Sequence, residues 1–357
     1  MKVYLKFFTS IFFKSFFYVF FILFSLVLVL NILTELDFFK EIVVETYFPL
    51  FLSLLNSPAL IFEMFPFILL IATQLFFIKL YENKEIEILK YTGVKNTRIL
   101  LVISILSLLS GLIITTLFYH FSSNLKNFYL QLKSPYTNDS KYLAVVTKNG
   151  LWIKDIVNEN TLMINSSKIE QNYLIDNYIT EFNINYEVIR NIKSDKIDIK
   201  NNNWIILDAK IFVNNNYKIE ESMLLKTNFN YKKIQSLYSN LTSLNFYELL
   251  ELRKNYKKLN YSTTEINLQL MKLTTYPLYL FLMSLFSGLI MLRIKSFDSS
   301  TFKISIGLFF SVIIYYLNNF FYVLGSTERL PIIISILLPL LALSVINVFM
   351  LIKINEK

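Results

Sequence analysis

The sequence predicts an α-helical polytopic membrane protein: six transmembrane helices in two groups of three, with an all-β, jelly-roll-like domain inserted between the groups. Hydrophobic residues make up 54% of the chain and charged residues only 17%, below the ~25% typical of soluble domains. The apolar residues are concentrated towards the two ends of the chain. We therefore expect helices 1–3 in residues 1–120, a β domain with a helical linker in 121–262, and helices 4–6 in 263–357.

The first span is predicted at about residues 12–33, after a start that carries Lys2, Lys6 and Lys14. A basic start before an apolar run is also typical of a signal peptide. Here the run is too long and no small-residue cleavage site follows it. We interpret it as a transmembrane helix whose N-terminus lies in the cytoplasm.

The second apolar run, residues 48–80, contains three prolines: Pro49, Pro58 and Pro66. Since it is longer than one span, we expect a short interfacial helix followed by a transmembrane helix at about 59–79. Glu63 would then lie one turn inside the outer end of that helix. It is either an interfacial carboxylate that reaches water or a functional acid within the membrane.

A polar segment, residues 81–98, separates the second apolar run from the third. Its cations place it in the cytoplasm by the positive-inside rule: Lys84, Lys90, Lys95 and Arg98. Ile86 and Leu89 share one helical face, and Glu85 flanks that face. Gly93 follows the last turn, where a helix C-cap prefers glycine. The pattern predicts a short amphipathic helix that lies parallel to the membrane.

The third span is predicted at about residues 99–119, with His120 as an interfacial residue at its outer boundary. The β domain after it is predicted from alternation, as in KIDIK (196–200), and from turn signals that recur at intervals of about 8–12 residues. This spacing favours a sandwich or jelly roll. Trp152 and Trp204 lie in such strands and are predicted core residues.

Two capping-box patterns predict helices that lead back into the membrane: Asn245 with Glu248, and Ser262 with Glu265. The last three spans are predicted at about 273–292, 304–324 and 331–352. Basic residues bracket the loop between the first two of these spans and place it, like both termini, in the cytoplasm: Arg293, Lys295 and Lys303.

No residue cluster predicts catalysis, a metal site or a cofactor. The chain has no cysteine and one histidine, which excludes thiolate metal sites and multi-histidine clusters. None of the six glycines belongs to a GxxxxGK phosphate loop, so ATP hydrolysis would have to come from a partner chain. The net charge of +9 could indicate nucleic acid. We expect no nucleic-acid partner, because many of the lysines flank apolar spans, where membrane topology explains them.

Four stretches together resemble the LptF/LptG permeases of the lipopolysaccharide export ABC transporter. The first is the proline-containing second span with KEIEILKYTGVKNTRI (84–99), in which Glu85 and Gly93 take the places of the glutamate and glycine of the family's coupling helix. The others are KNGLWIKD (148–155), NNWIILDAKIF (202–212) and the block from YPLYLFLMSLFSGLIMLR to GSTERLPIIISILLPLL. ELDFF (35–39) and SPALIFEMFPF (57–67) favour an LptG-like chain over an LptF-like one.

The resemblance implies a multi-pass protein of the Gram-negative inner membrane with its β domain in the periplasm. It implies a paralogous permease chain as partner, a dimer of cytoplasmic ATPase subunits, and a single-span partner with its own β domain. The substrate would be lipopolysaccharide, extracted from the inner membrane and passed to a periplasmic bridge. The residues that would couple the chain to the ATPase lie in the coupling helix, residues 81–98: Glu85, Ile86, Leu89 and Gly93.

Lys40, Lys126 and Lys133 are candidate contacts to lipid phosphates, because they lie near the predicted outer ends of the helices and an ammonium group binds phosphate as a point charge. The alternative is that they are ordinary interfacial lysines. The apolar face of the strands could likewise form an open lipid-holding groove or a closed core. Ile197 and Ile211 are the inward positions from which lipid crosslinking would distinguish these two.

Two other classes of function stay open. One is a permease or mechanical transmitter of another ABC system, of the lipoprotein-release or cell-division type, which usually has four spans per chain. The other is a membrane enzyme that acts on lipid-linked sugars. Such an enzyme needs paired carboxylates in a cleft, whereas Asp155, Glu159 and Asp198 are scattered and belong to no recognisable motif.

Overall fold

The computed structural model describes residues 3–133, 136, 143–147, 150–170, 172–213, 216–231, 234, 241–258, 262–293 and 300–355. The chain forms two compact units. The helical unit comprises Met1–Tyr129 and Asn267–Lys357, and the β unit comprises Leu130–Ile266.

The helices follow one another in the order in which the apolar runs occur. They are α1 (Val3–Phe38), α2 (Phe48–Glu82), α3 (Glu85–Tyr91), α4 (Asn96–Ile113), α5 (Tyr119–Lys133), α6 (Phe246–Lys258), α7 (Thr264–Arg293), α8 (Ser300–Ser326) and α9 (Ile332–Asn355). Within the described residues, six helices are long and apolar enough to cross a membrane: Tyr4–Phe38, Phe48–Glu82, Asn96–Lys133, Thr264–Arg293, Ile304–Ser326 and Ile332–Lys353. The predicted class of six membrane helices around an inserted β domain is confirmed.

Helix α2 is continuous from Phe48 to Glu82, with Pro58 and Pro66 inside it. The prediction of a separate interfacial helix before the second span is wrong. A proline at position 66 cannot donate to the carbonyl of Phe62. The hydroxyl of Tyr276 in α7 donates to that carbonyl at 2.5 Å instead. A neighbouring helix therefore satisfies the backbone group that the proline leaves open.

The third span is longer than predicted. A π-helical turn, Ile114–Phe118, joins α4 to α5, and the helix continues to Lys133 rather than ending near Tyr119. The hydroxyls of Thr115 and Thr116 donate to carbonyls of the preceding turn, Gly111 at 2.8 Å and Leu112 at 2.7 Å. The sequence between Leu112 and Lys133 contains no glycine or proline that would stop a helix.

Aromatic rings join the first three spans. Phe65 of α2 stacks on Phe16 of α1, with ring centroids 6.3 Å apart, and meets Phe118 edge-on at 5.1 Å. Two glycines allow α4 and α7 to approach closely. A Cβ atom on Gly111 would lie 3.0 Å from the backbone of Pro277, and one on Gly288 would lie 2.5 Å from Leu100. Packing of this kind replaces the hydrophobic driving force that is missing between helices in lipid.

The β unit is one antiparallel sheet of seven described strands: β1 (Leu143–Thr147), β2 (Gly150–Val157), β3 (Asn160–Glu170), β4 (Tyr173–Phe182), β5 (Val188–Asp198), β6 (Asn203–Val213) and β7 (Asn216–Lys226). Each strand pairs with its neighbour in the chain. The inserted all-β domain is confirmed, but these strands form a meander rather than the Greek-key connections of a jelly roll. Alternation and turn spacing identify strands and hairpins, and both arrangements contain them.

A row of isoleucines crosses five strands of the sheet. Its members are direct cross-strand partners: Ile153, Ile164, Ile179, Ile192 and Ile211. The first four are fully buried and Ile211 is half-buried. Trp204 is also buried, and its indole N–H donates to the carbonyl of Phe229 at 2.8 Å. The prediction that Trp152 is a core residue is wrong. It is 42% exposed, because it alternates with the buried Leu151 and Ile153.

Candidate functional site

Helix α3 connects α2 to α4, and its two ends adopt left-handed backbone conformations. Lys84, just before the helix, has φ 56°, and Gly93, just after it, has φ 82°. The amide of Val94 donates to the carbonyl of Leu89 at 2.9 Å, which closes the last turn around Gly93. This is the glycine C-cap that the sequence indicates. We call the end of the helical unit that holds α3 the α3 end, and the opposite end the far end.

The apolar face of α3 lies against its own chain. Ile86 is only 3% exposed and Leu89 is half-buried, so Ile86 is not free to dock on another protein. The outward face consists of Glu87, Ile88 and Tyr91, of which Ile88 is 60% and Tyr91 is 91% exposed. The coupling role of Glu85, Ile86, Leu89 and Gly93 stays a prediction, and the exposed face adds Ile88 and Tyr91 as residues that point away from the chain. Periodicity shows which residues share a helical face but not which neighbour covers that face.

The two carboxylate oxygens of Glu85 lie in different surroundings. Its Oε1 accepts a hydrogen bond from the side-chain amide of Asn83 at 3.3 Å, at an exposed position. Its Oε2 is buried and has no hydrogen-bond partner among the described residues. Only the Oε1 side of the carboxylate is therefore placed to meet a group on another chain.

An ion pair lies towards the far end, between α2 and α7. The Nζ atom of Lys272 lies 3.0 Å from each carboxylate oxygen of Glu63. The side chains are partly accessible, Lys272 to 31% and Glu63 to 39%. Sequence reasoning missed Lys272, because the fourth span was predicted to begin one residue after it. The carboxylate of Glu63 thus has a cationic partner within the helical unit, and both alternatives for its role stay open.

Lys126 of α5 belongs to the same region. Burial is the larger influence on its ammonium group, and the charge of Glu63 is the second. The ammonium group of Lys272 also lies 5.8 Å from the ring centroid of Tyr322 in α8. We call Glu63, Lys126 and Lys272 the charged cluster. It contains two positive charges and one negative charge.

The structure places the three lysines predicted to contact phosphate in different settings. Lys40 lies exposed in the turn after α1. Lys126 joins the charged cluster. Lys133 is the last residue of α5 and belongs to the β unit. His120 is exposed within α5, and its Nε2 lies 3.4 Å from the side-chain amide of Asn124.

Two further polar contacts at the far end were not predicted. The buried carboxylate of Glu35 accepts a hydrogen bond from the hydroxyl of Tyr129 at 2.8 Å. The buried amide of Asn31 donates to the carbonyl of Ser53 at 3.0 Å, and its oxygen accepts from Asn56 at 3.2 Å. These contacts join α1 to α2 and α5. Across the described part of the chain, the acidic residues and the histidine form no group of three that could hold a metal ion.

Along the described chain, three membrane helices are followed by an inserted sheet and then by three more membrane helices. The short helix α3 lies between the second and the third membrane helix. A family model described as the lipopolysaccharide export system permease LptF/LptG matches residues 6–353. The chain belongs to the LptF/LptG family. No curated protein sequence matches the chain at a significant level.

As an LptF/LptG permease, the chain is a multi-pass inner-membrane component of lipopolysaccharide export and not itself the ATPase. The resemblance noted from four sequence stretches is thereby confirmed over nearly the whole chain. The helical unit of this permease offers two regions for function. One is α3, with its exposed apolar residues. The other is the charged cluster towards the far end.

Proposed function

We propose that this permease extracts lipopolysaccharide from the inner membrane and passes it to a periplasmic bridge. The family match over residues 6–353 carries the proposal, and it favours lipopolysaccharide export over a lipoprotein-release or cell-division system. The partners would be a paralogous permease chain, a dimer of cytoplasmic ATPase subunits and a single-span partner with its own β domain. We infer an LptG-like chain from ELDFF (35–39) and SPALIFEMFPF (57–67), so it should assemble with an LptF-like paralogue and not with an LptG-like one.

We infer that the α3 end lies in the cytoplasm. Basic residues predominate there: Lys84, Lys90, Lys95, Arg98 and Arg293. The connection between α1 and α2, at the far end, carries acidic residues instead: Asp37, Glu41 and Glu45. Cytoplasmic loops of membrane proteins are enriched in lysine and arginine. The β unit would then be periplasmic and both termini cytoplasmic.

We propose that α3 is the coupling helix on which the ATPase acts. Ile86, Leu89 and Gly93 would hold the helix on its own chain, while Ile88 and Tyr91 would enter a groove on the ATPase subunit. Burial of an aliphatic or aromatic side chain contributes ~1.5–3 kcal/mol, whereas an exposed ion pair contributes only ~0–1 kcal/mol. The two apolar side chains would therefore supply most of the binding, and Glu85 would add a weaker contact to a basic residue.

The test is co-purification of the ATPase with the permease. Ile88→Asp combined with Tyr91→Asp should remove most of the bound ATPase, because both charges would fall inside the contact. Glu87→Gln is the matched control on the same helix face, and it should leave the ATPase bound. ATPase retained at the wild-type level by the double variant would contradict the docking of α3.

We also propose that Lys126 contacts a phosphate of the lipid, with Lys40 and Lys133 as further candidates. Of the three lysines, Lys126 is half-buried in the helical unit beside the charge of Glu63, and this setting supports it most strongly. Lys126→Ala should lower the stimulation of ATPase activity by lipopolysaccharide. Unchanged stimulation would count against the contact.

A further inference from the structure

Two neighbouring contacts at the charged cluster join α7 to α2. Lys272 binds the carboxylate of Glu63, and Tyr276, one turn later on α7, donates to the carbonyl of Phe62. The Tyr276 contact is buried and compensates for Pro66, whereas the Lys272 contact is partly exposed. The two helices would therefore stay joined through Tyr276 if Lys272 exchanged its partner.

The length of helix between the ion pair and the α3 end is close to the thickness of the hydrocarbon core. From Glu63 to Glu82, at the α3 end, α2 rises ~28 Å at about 1.5 Å per residue. From Lys272 to Arg293, α7 rises ~32 Å by the same measure. The hydrocarbon core of a bilayer is ~30 Å thick. With the α3 end at the inner boundary, as proposed above, the pair would lie at the level where the acyl chains of a lipid end and its phosphates begin.

The composition of the cluster is suited to binding an anion. Lys272 pairs with the single carboxylate of Glu63, and the ammonium group of Lys126 lies near enough to interact with the same negative charge. Both oxygens of Glu63 engage one Nζ atom, which is also how two oxygens of a phosphate could engage it. A phosphate carries more negative charge than a carboxylate and would compete with it for the same donors.

We propose that Glu63 is an internal counter-ion for Lys272, which a lipid phosphate displaces when lipopolysaccharide enters. This inference rests on the proposed function and adds a role for two residues that the family match does not assign. Without lipid, Glu63 neutralises Lys272, and the charged cluster keeps one net positive charge. When lipid binds, its phosphate takes the place of Glu63 on Lys272. Glu63 then makes binding weaker and release easier.

A purely structural ion pair predicts the opposite result from an exchangeable one. If Glu63 served only to hold α7 on α2, its loss would loosen the helical unit and weaken lipid binding. If Glu63 competes with the phosphate, its loss removes the competitor and strengthens lipid binding. The sign of the change in affinity therefore decides between the two roles.

The experiment uses the assembled complex of both permease chains and the ATPase in lipid nanodiscs. The probes are lipopolysaccharide with its phosphates, the same lipid after enzymatic dephosphorylation, and inorganic phosphate alone. Glu63→Gln should raise the affinity for phosphorylated lipid roughly tenfold, which corresponds to ~1.4 kcal/mol. It should not change the affinity for dephosphorylated lipid. Lys272→Gln should weaken the binding of phosphorylated lipid, and adding Glu63→Gln to it should give no gain.

The remaining outcomes distinguish the sources of failure. Inorganic phosphate that binds as tightly as the lipid would identify a site for the free ion and overturn the proposal. An unchanged or weaker affinity of Glu63→Gln, while the wild type binds lipid, would overturn this inference alone. Absence of lipid binding by the wild type would overturn the proposed function. If Glu63→Gln does not assemble, Glu63→Asp takes its place: its shorter side chain should give a smaller gain, and no gain would overturn the inference.

Discussion

At the scale of single residues, one hydroxyl group explains how α2 remains helical past Pro66. The carbonyl of Phe62 is buried between helices, where no water can replace the missing amide donor. Tyr276 supplies the donor, and its ring stacks on that of Phe62 with centroids 4.7 Å apart. The same pair of residues thus provides both packing and a hydrogen bond at the turn that precedes the proline.

We expect Tyr276→Phe to destabilise the purified permease, because it leaves the buried carbonyl of Phe62 without a donor while keeping the aromatic stack. The loss should be ~1–3 kcal/mol, the range for an unsatisfied buried polar group. In a Pro66→Ala background the loss should shrink, because the amide at position 66 can again donate to Phe62. Thermal unfolding of the three variants measures this double-mutant cycle.

The control for this cycle is Tyr316→Phe, which removes a hydroxyl from an exposed tyrosine of α8 and should leave the unfolding temperature unchanged. An equal loss from Tyr276→Phe with and without Pro66 would show that the hydroxyl stabilises the fold by another route.

The sequence indicates which single residues are unusual more reliably than it indicates which residues they contact. Glu63 was singled out because an acid in an apolar run is unusual, but its partner lies on a helix more than two hundred residues later in the chain. Trp152 and Trp204 both lie in strands, and which of them is buried depends on which alternating positions of each strand face the core. Long-range pairing and the choice of inward face arise from tertiary packing, which no local pattern contains.

At the scale of elements, the helices were predicted well where the sequence carries a stop signal and poorly where it does not. Gly93 closes α3 at the predicted place, with its backbone in the left-handed region. The third span lacks such a signal, and α5 continues it as a helix in which Ser122 and Ser123 are buried. A rise in polarity predicts where an apolar span ends, but a helix that leaves a membrane can continue into water.

The connections between helices give a direct test of orientation, because the chain contains no cysteine and single cysteines can be introduced without background. Val43, in the turn after α1, is fully exposed, and Lys84, just before α3, is exposed at the other end. In cells with a permeabilised outer membrane, a membrane-impermeant maleimide should label Val43→Cys at once. Lys84→Cys should react only after the inner membrane is opened.

Labelling of Lys84→Cys in intact inner membranes would place α3 in the periplasm. It would then be out of reach of any cytoplasmic ATPase, and the coupling role proposed for α3 could not hold. Thr92→Cys, at the other end of α3, is a second exposed position that should behave as Lys84→Cys does.

At the scale of the whole molecule, we expect the two units to serve different steps of transport. The helical unit holds both the exposed face of α3 and the charged cluster, so a movement of α2 driven at one end would reach Glu63 in the other half of the same continuous helix. The β unit provides a row of inward isoleucines, which is fully buried from Ile153 to Ile192 and opens at Ile211. Ile211, rather than the fully buried Ile197, is thus the inward position at which we expect a lipid to have access without displacing the packed row.

The most direct test of the account is photo-crosslinking from Ile211, replaced by a photoreactive amino acid, to lipopolysaccharide in the reconstituted complex. We expect a lipid adduct that forms only when ATP is supplied. The adduct should disappear when Ile88→Asp and Tyr91→Asp are combined in the same chain. An adduct of equal yield without ATP, or one that survives the double substitution, would contradict the claim that force applied at α3 moves the lipid into the β unit.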